Sequence, residues 1–296
     1  MADAVIVSTG GFSNDREGED SLLKEFAPEY LDYPTTNGAF ARGDGLKMAR
    51  RIGAKLLGVN NVQIHPTGFV DPKQPRAYTK FLAAEALRGS GALLLNQRGR
   101  RFTNELGRRD HTTKAILTNC DKDEEAQAHV AYLLINQKGV EKFGQPAFNF
   151  YWKIKGFFQQ ADDLEAVAKL IGVEPSIIKE TLEDYDEVAT GKKPDPYGKT
   201  VFPMRLEPDS GPFFLGRITP SLHYTMGGLA ISPHAEVLSE ELLRPMPGLY
   251  AAGEVTGGVH GRNRLGGNSL LECVVFGRIA GKQSAQRQQP STHTEL

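Results

Sequence analysis

Glycine pairs and the polar openings of helices are the first chemistry this sequence offers. The 32 glycines fall at Gly10-Gly11, Gly43/Gly45, Gly89/Gly91, Gly227-Gly228, Gly257-Gly258 and Gly266-Gly267, among other places. Such clusters mark points where main chain turns sharply or comes close to a ligand, and so many favour a ligand-binding protein. Asn268 or Ser269 is a good N-cap for the apolar run that starts at Leu270, and the N–H groups of that helix start favour a negatively charged ligand. Glu85 and Arg88, three apart, share a face if their segment is helical, where an ordinary surface ion pair is one reading. No GxGxxG, GxxxxGK[ST], HExxH or GxSxG is present, which argues against P-loop, zincin and serine-hydrolase chemistry.

The elements that must position these residues alternate in character. Ala4-Val5-Ile6-Val7-Ser8-Thr9 reads as a short buried strand halted by Gly10-Gly11. Gly43-Asp44-Gly45 leads into an amphipathic helix pattern of Leu46, Ala49, Ile52, Ala54 and Leu56. Residues 61–224 are richer in proline and aromatics. There Ser176 is a candidate cap for a helix carrying Ile178, Leu182, Tyr185 and Val188, and Lys192-Lys193-Pro194-Asp195-Pro196 reads as an exposed loop. Gly248 to Glu254 reads as a strand ending in glycine and an acid. The predicted architecture is α/β plus α+β: a partial Rossmann-like domain with an inserted α+β domain. The parts are residues 1–60, the insertion at 61–224, the return at 225–283 and a flexible tail at 284–296.

Composition sets further bounds. The 296 residues carry a formal net charge of −1, with 40% hydrophobic and 24% charged residues. No global field would draw nucleic acid or an anionic membrane, and no apolar run nears the ~20 residues of a membrane span. The two cysteines, Cys120 and Cys273, form no CxxC pair, so neither a disulfide framework nor a metal site is expected.

One segment is far more specific than these patterns. Glu254-Val255-Thr256-Gly257-Gly258-Val259-His260-Gly261 continues through Arg262-Asn263-Arg264-Leu265-Gly266-Gly267-Asn268-Ser269-Leu270-Leu271. It resembles the C-terminal signature of the succinate dehydrogenase/fumarate reductase flavoprotein family. Four further pieces match in order: Thr9-Gly10-Gly11-Phe12, His65-Pro66-Thr67, Glu85-Ala86-Leu87-Arg88-Gly89 and His223-Tyr224-Thr225-Met226-Gly227-Gly228. Gly266-Gly267-Asn268 with Met226-Gly227-Gly228 is most similar to the soluble fumarate reductases. The resemblance runs from about Ala4 to Gly281.

That resemblance implies an FAD-binding domain with an inserted capping domain. The family's dinucleotide fingerprint lies upstream of the Thr9-Gly10-Gly11 strand and is not among these residues, so a truncated chain with impaired activity and little bound FAD is the expectation. For FAD it implies Thr9, Gly10 and Gly11 near the pyrophosphate, Asp44 as the family's Gly-Asp-Gly contact, Glu254 on ribose hydroxyls, and Asn268, Ser269 and Leu270 beside the flavin ring. For substrate it implies Arg264 and His223 on one carboxylate of fumarate and His65 on the side of the other. Ala84 stands where the family often has threonine, which removes a hydroxyl donor. Arg109 aligns with the family's proton donor, and Glu85 and Arg88 with the relay that returns its proton. Arg108 is the poorer match. An arginine acid, with a pKa above ~12, works only if its proton is replaced as it leaves.

The implied reaction is FAD-dependent reduction of fumarate to succinate, with reduced flavin or NADH as candidate electron donors. Related dicarboxylate flavoenzymes of the L-aspartate oxidase or succinate dehydrogenase type are a second reading, and a non-catalytic fragment is a third. His65, Arg109 and Arg264 argue for a dicarboxylate and against a steroid. The expected protein is soluble, in mitochondrion, cytoplasm or endoplasmic reticulum. His293-Thr294-Glu295-Leu296 resembles a relaxed retrieval signal for the last of these.

Overall fold

The structure is a computed structural model that describes residues 3–287; the 293–296 tetrapeptide lies outside the described residues. The chain divides into two compact units. One comprises residues 1–33, 37–63 and 222–296, the other residues 34–36 and 64–221. The expected changes of character at 60/61 and 224/225 thus lie three residues from the observed passages at 63/64 and 221/222.

The second unit is built on an antiparallel sheet. Strand Phe213–Thr225 pairs with Ala131–Asn136 from Phe213 opposite Asn136 to Ile218 opposite Ala131, and on its other edge with Phe158–Ala161 from Phe213 opposite Ala161 to Gly216 opposite Phe158. Ala131–Asn136 pairs in turn with Leu93–Leu95. Both faces of this sheet are covered, so its strands read as unbroken apolar runs rather than alternating ones. The pleat still sorts them. Leu93, Leu95, Leu134, Phe213 and Leu215 face a core with Ile178, Leu182 and Tyr185. Leu94, Leu133, Ile135 and Phe214 face an aromatic core with Phe69, Phe148, Phe157 and Phe158. In that second core Phe69 stacks on Phe157 at 4.7 Å, and Trp152 meets Phe214 edge-on at 4.8 Å.

Two local readings change. Helix Pro175–Ala189 begins on Pro175 with Glu174 as N-cap. Proline at the first position needs no N–H there and is preset for helical φ, so it displaces Ser176 from the capping role. Asp195 sits in the predicted exposed loop, yet its side chain is fully buried against Arg101.

The first unit has a three-stranded sheet. Val5–Val7 runs parallel to Pro245–Ala251, which pairs antiparallel with Glu236–Leu238. Val5–Val7 is the edge of this sheet, and Val5 and Ile6 are 51% and 40% exposed, so the strand forms as expected but is not buried. Helix Asp44–Arg51 follows Gly43. Helix Asn268–Arg287 extends past the predicted tail boundary at 283/284; it packs Ala280, with Phe276 and Ile279, onto Tyr250 and Ala252.

A small sheet of Leu56–Leu57, Gly228–Ala230 and Thr256–Gly257 brings three main chains into direct contact. A β-carbon on Gly227 would lie 2.1 Å from the Gly58 carbonyl oxygen, and one on Gly257 2.3 Å from that of Leu57. Only glycine fits where backbone meets backbone at this spacing.

Candidate active site

The second unit positions the acid–base residues. Arg109 is the first residue of helix Arg109–Asn119, whose buried face continues through Thr112, Thr113 and Ile116. Its Nε and Nη2 donate to Glu85 Oε2 at 2.9 and 2.7 Å. The Arg109 side chain is 8% exposed and that of Glu85 47%. Glu85 opens the short helix Glu85–Gly89, and Arg88, one turn later, is 1% exposed. The Arg88 Nη1 donates to the main-chain carbonyl of Glu105 at 2.5 Å. Burial pulls the Arg88 guanidinium down to about 10, against the pull of Glu85 and Glu105 and with the push of Arg109. A buried arginine cannot be half of a surface ion pair, so that reading of Glu85 and Arg88 falls. Arg108 points to solvent and pairs with Asp110 at 2.5 Å.

His65 lies in strand Val62–Phe69 and is fully buried. The Thr67 N–H donates to His65 Nδ1 at 3.3 Å, and the Thr67 hydroxyl donates to the Ala83 carbonyl at 2.9 Å. With Nδ1 accepting, these bonds assign the imidazole proton to Nε2, which makes that nitrogen a donor suited to a carboxylate. Ala84, next in line, is the N-cap of helix Glu85–Gly89 and gives it no side-chain bond.

The first unit positions the other cation. Arg264 is 4% exposed, and its guanidinium carbon lies 4.3 Å from the centroid of the Tyr224 ring. Gln63 Nε2 donates to the Arg264 carbonyl at 2.8 Å and to Asn263 Oδ1 at 3.0 Å, which fixes the loop. The Tyr224 ring is anchored in turn, because its hydroxyl donates to Glu272 Oε2 at 2.7 Å. The buried Glu272 also accepts from Thr256 Oγ1 at 2.7 Å and meets His260 Nε2 at 2.6 Å. Burial, then the Glu272 contact, push the Tyr224 phenol far above its ordinary range, against an opposing bond from Ser269. His223 adjoins Tyr224, and its carbonyl accepts from Asn37 Nδ2 at 2.9 Å. Arg264, Asn268 and Glu272 line one cleft of about 450 Å³.

The glycine segments of this unit gather around Glu254 and Thr225. The Gly43 N–H donates to the Gly11 carbonyl at 3.1 Å, joining Thr9-Gly10-Gly11 to Gly43-Asp44-Gly45. Thr9 and Asp44 are exposed there. A β-carbon on Gly11 would lie 2.1 Å from Thr225 Oγ1 and 2.4 Å from Glu254 Oε1. Glu254 Oε1 accepts from the Thr225 N–H at 2.9 Å and Thr225 Oγ1 at 3.2 Å. Burial raises the Glu254 carboxyl to about 7, against the Thr225 bonds and Arg264.

Each unit therefore brings together its own share of the predicted residues: Glu85, Arg88 and Arg109 in the second, with His65 buried nearby in sequence; Arg264 with Asn268 and Ser269, and Gly11 with Asp44 and Glu254, in the first. Leu270 is 76% exposed beside them. The polar set of Glu272, His260, Thr256 and Tyr224 was missed. Its signal was faint: His260 lies inside the signature and Glu272 just past its end, twelve residues apart and with no common period. Among the described residues no group of three or more His, Cys, Asp or Glu could hold a metal, and no helix is long and apolar enough to cross a membrane.

Comparison with known proteins identifies the family. The model of the family described as FAD binding domain matches residues 1–270. The chain is 43% identical to "Fumarate reductase" of Schizosaccharomyces pombe, over 94% of this chain and 52% of that protein. It is 42% identical to "Fumarate reductase 1" of Saccharomyces cerevisiae, over 96% of this chain and 59% of that protein. A solved flavocytochrome c3 fumarate reductase in its open conformation superposes with a TM-score of 0.68 at 33% identity, covering 97% of this chain and 46% of that one. The chain spans between half and three-fifths of the length of these two curated relatives. On the strength of the family match and these relatives, it belongs to the FAD-binding flavoprotein family that includes the fumarate reductases.

Proposed function

We propose that this chain carries the capping unit and part of the FAD unit of an enzyme that reduces fumarate to succinate. The observation that supports this most is the Arg109–Glu85 pair with Arg88 buried one turn from Glu85. An arginine serves as an acid only when its proton is restored, and a hydrogen-bonded carboxylate is the group that can restore it.

Bound FAD, once reduced by the two-electron donor, would supply the hydride for one alkene carbon. The chain's own residues do the rest. Arg109 gives its proton to the adjacent carbon and regains one through Glu85, with Arg88 next in the relay. Arg264, whose planar fork suits a carboxylate, and His223 take one carboxylate of the dianion. His65, a donor at Nε2, belongs with the other, where Ala84 brings no hydroxyl. These donors oppose the charge that grows on the carboxylate as hydride arrives.

Gly10 and Gly11 admit close approach of the cofactor's pyrophosphate, and Asp44 lies exposed beside them. A Glu254 carboxyl near 7 can accept from a ribose hydroxyl. Asn268, Ser269 and Leu270, at the opening of a 20-residue helix, sit where N–H groups favour a polar ring edge. The residues present thus fit FAD.

The test is succinate formation by flavin-loaded protein, with reduced flavin or NADH as the electron donor. Aspartate offered in the same assay separates this reading from an L-aspartate oxidase activity. Turnover of aspartate without turnover of fumarate would refute it.

A further inference from the structure

The second unit holds a buried ionic cluster that the reaction above leaves unused. Glu105 is fully buried, and Arg101 grips its carboxylate through Nε at 2.9 Å and Nη2 at 3.0 Å. Lys199, 94 residues away, is also fully buried at its side chain and donates to Glu105 Oε2 at 2.8 Å. Asp195 balances the second cation: Arg101 Nη1 donates to its Oδ1 at 2.9 Å, and the N–H groups of Tyr197 and Lys199 donate to its Oδ2. The Tyr185 ring closes the set, 4.8 Å from the Arg101 guanidinium and 4.9 Å from the Lys199 ammonium. Two anions and two cations balance, which is the condition for charges so far from water.

Such a cluster is a weak source of stability compared with an apolar core of the same volume. Its position suggests another use. Glu105 is the residue whose carbonyl accepts from Arg88, and it lies four residues before Arg109. A turn at Asn104–Gly107, with Leu106 N–H on Asn104 Oδ1, joins the two. The cluster therefore fixes one residue that touches Arg88 by its main chain and leads directly into the helix that begins with Arg109.

We propose that Glu105 is a positioning residue of the proton relay: its carbonyl holds Arg88 in place, while its carboxylate, locked by Arg101 and Lys199, keeps a fixed anion beside the buried guanidinium. This rests on the relay reading of Arg109, Glu85 and Arg88. The charged groups that face Arg88 are Glu85 from its own helix, Arg109 from the helix Arg109–Asn119 and Glu105 from the preceding turn. Two of these belong to the relay already. Glu105 is the one whose charge can be altered without removing a relay member.

The experiment uses substitutions of opposite sign. Glu105→Gln removes the anion but keeps the shape and the carbonyl. Lys199→Met removes a cation that offsets it and strengthens the anion's field. The 13C shift of Arg88 Cζ, followed against pH in the labelled 296-residue chain, reads the effect with no need of flavin. The midpoint near 10 should fall in Glu105→Gln by about one pH unit and rise in Lys199→Met by less, because burial lowers the Lys199 ammonium below its ordinary range and weakens its charge at that pH. In flavin-loaded protein the alkaline limb of kcat for fumarate should move in the same two directions, with KM changed less than about twofold. Should Glu105→Gln not fold, the paired variant Glu105→Met/Lys199→Met removes one anion and one cation together; loss of Glu105, which faces Arg88, should still lower the midpoint, whereas loosened packing would raise it. Loosened packing would move both variants the same way, so movement in a common direction, or none, overturns the proposal. A midpoint that moves oppositely while the alkaline limb stays fixed overturns the relay reading and the catalytic role of Glu105 with it.

Discussion

Arg264 and Arg109 are buried to a similar degree yet seated on opposite kinds of surface. Arg264 lies over the neutral ring of Tyr224, and a buried carboxylate, Glu272, holds that ring from its hydroxyl. Arg109 lies on a carboxylate itself, in a two-bond contact with half-exposed Glu85. An aromatic seat orients a guanidinium through its face and leaves its charge for recognition. A carboxylate seat gives the guanidinium a group with which a proton can be exchanged. On the proposed function, one residue type is prepared either to bind or to donate by what is placed beneath it.

The largest effect should come from removing the acid. Arg109→Ala should lower kcat for fumarate by about 10²- to 10⁴-fold, the usual contribution of general acid catalysis, with flavin binding retained. Near-normal succinate formation would erase the distinction between the seats. Arg264→Lys should appear instead mainly in KM, raised by about tenfold, because a point charge replaces a fork. A loss confined to kcat would show that Arg264 is not primarily a binding group.

Next comes the seat itself. Glu272→Ala leaves the Tyr224 and Thr256 hydroxyls and His260 without their acceptor. Loss of one member of a buried polar set costs roughly 3–5 kcal/mol, readable as a lower melting midpoint. Glu254 offers a pH test. Burial holds its folded-state carboxyl near 7, above the ordinary value of 4.5. Its contribution is therefore fully present below about 4.5 and is lost as pH rises through 7. At most this amounts to about 3 kcal/mol, at about 1.4 kcal/mol per pKa unit. Glu254→Gln should flatten the fall in melting temperature between pH 5 and 8 relative to the parent, and an unchanged slope would place the carboxyl in water. The smallest effect is expected at Arg108, whose side chain is 70% exposed. Arg108→Ala should leave melting and turnover unchanged within error, and a large drop in turnover would shift the donor role towards it.

Sequence and structure agree best where a site is written contiguously. Arg264, Asn268 and Ser269 lie within one run, and the glycines that flank them mark it. The strand Val5–Val7 and the helix after Gly43 were legible for the same reason: each is a local pattern with a local stop. The Arg101–Glu105–Asp195–Lys199 cluster was not legible, since Glu105 and Lys199 become neighbours only through the folding of 94 intervening residues. Asp195 was misread because proline on both sides signals a turn at the surface, and the signal carries no information on what the acid faces. The Tyr224–Glu272 bond joins residues 48 apart and leaves no periodic trace. Ser176 lost its capping role to a neighbour, Pro175, whose preference for the first helical position is the stronger.

The junction at Gly227 and Gly257 has a consequence for anyone recombining this chain with its relatives. Segments 56–61, 227–230 and 255–258 touch mainly through peptide groups, with the Leu57 side chain against Gly258 as an exception, so little there can be resized to absorb a mismatch. A chimera that exchanges one of the three segments and keeps the other two must reproduce their spacing to within a few tenths of an ångström. Crossover points are safer where side chains intervene, and the three segments are best inherited together.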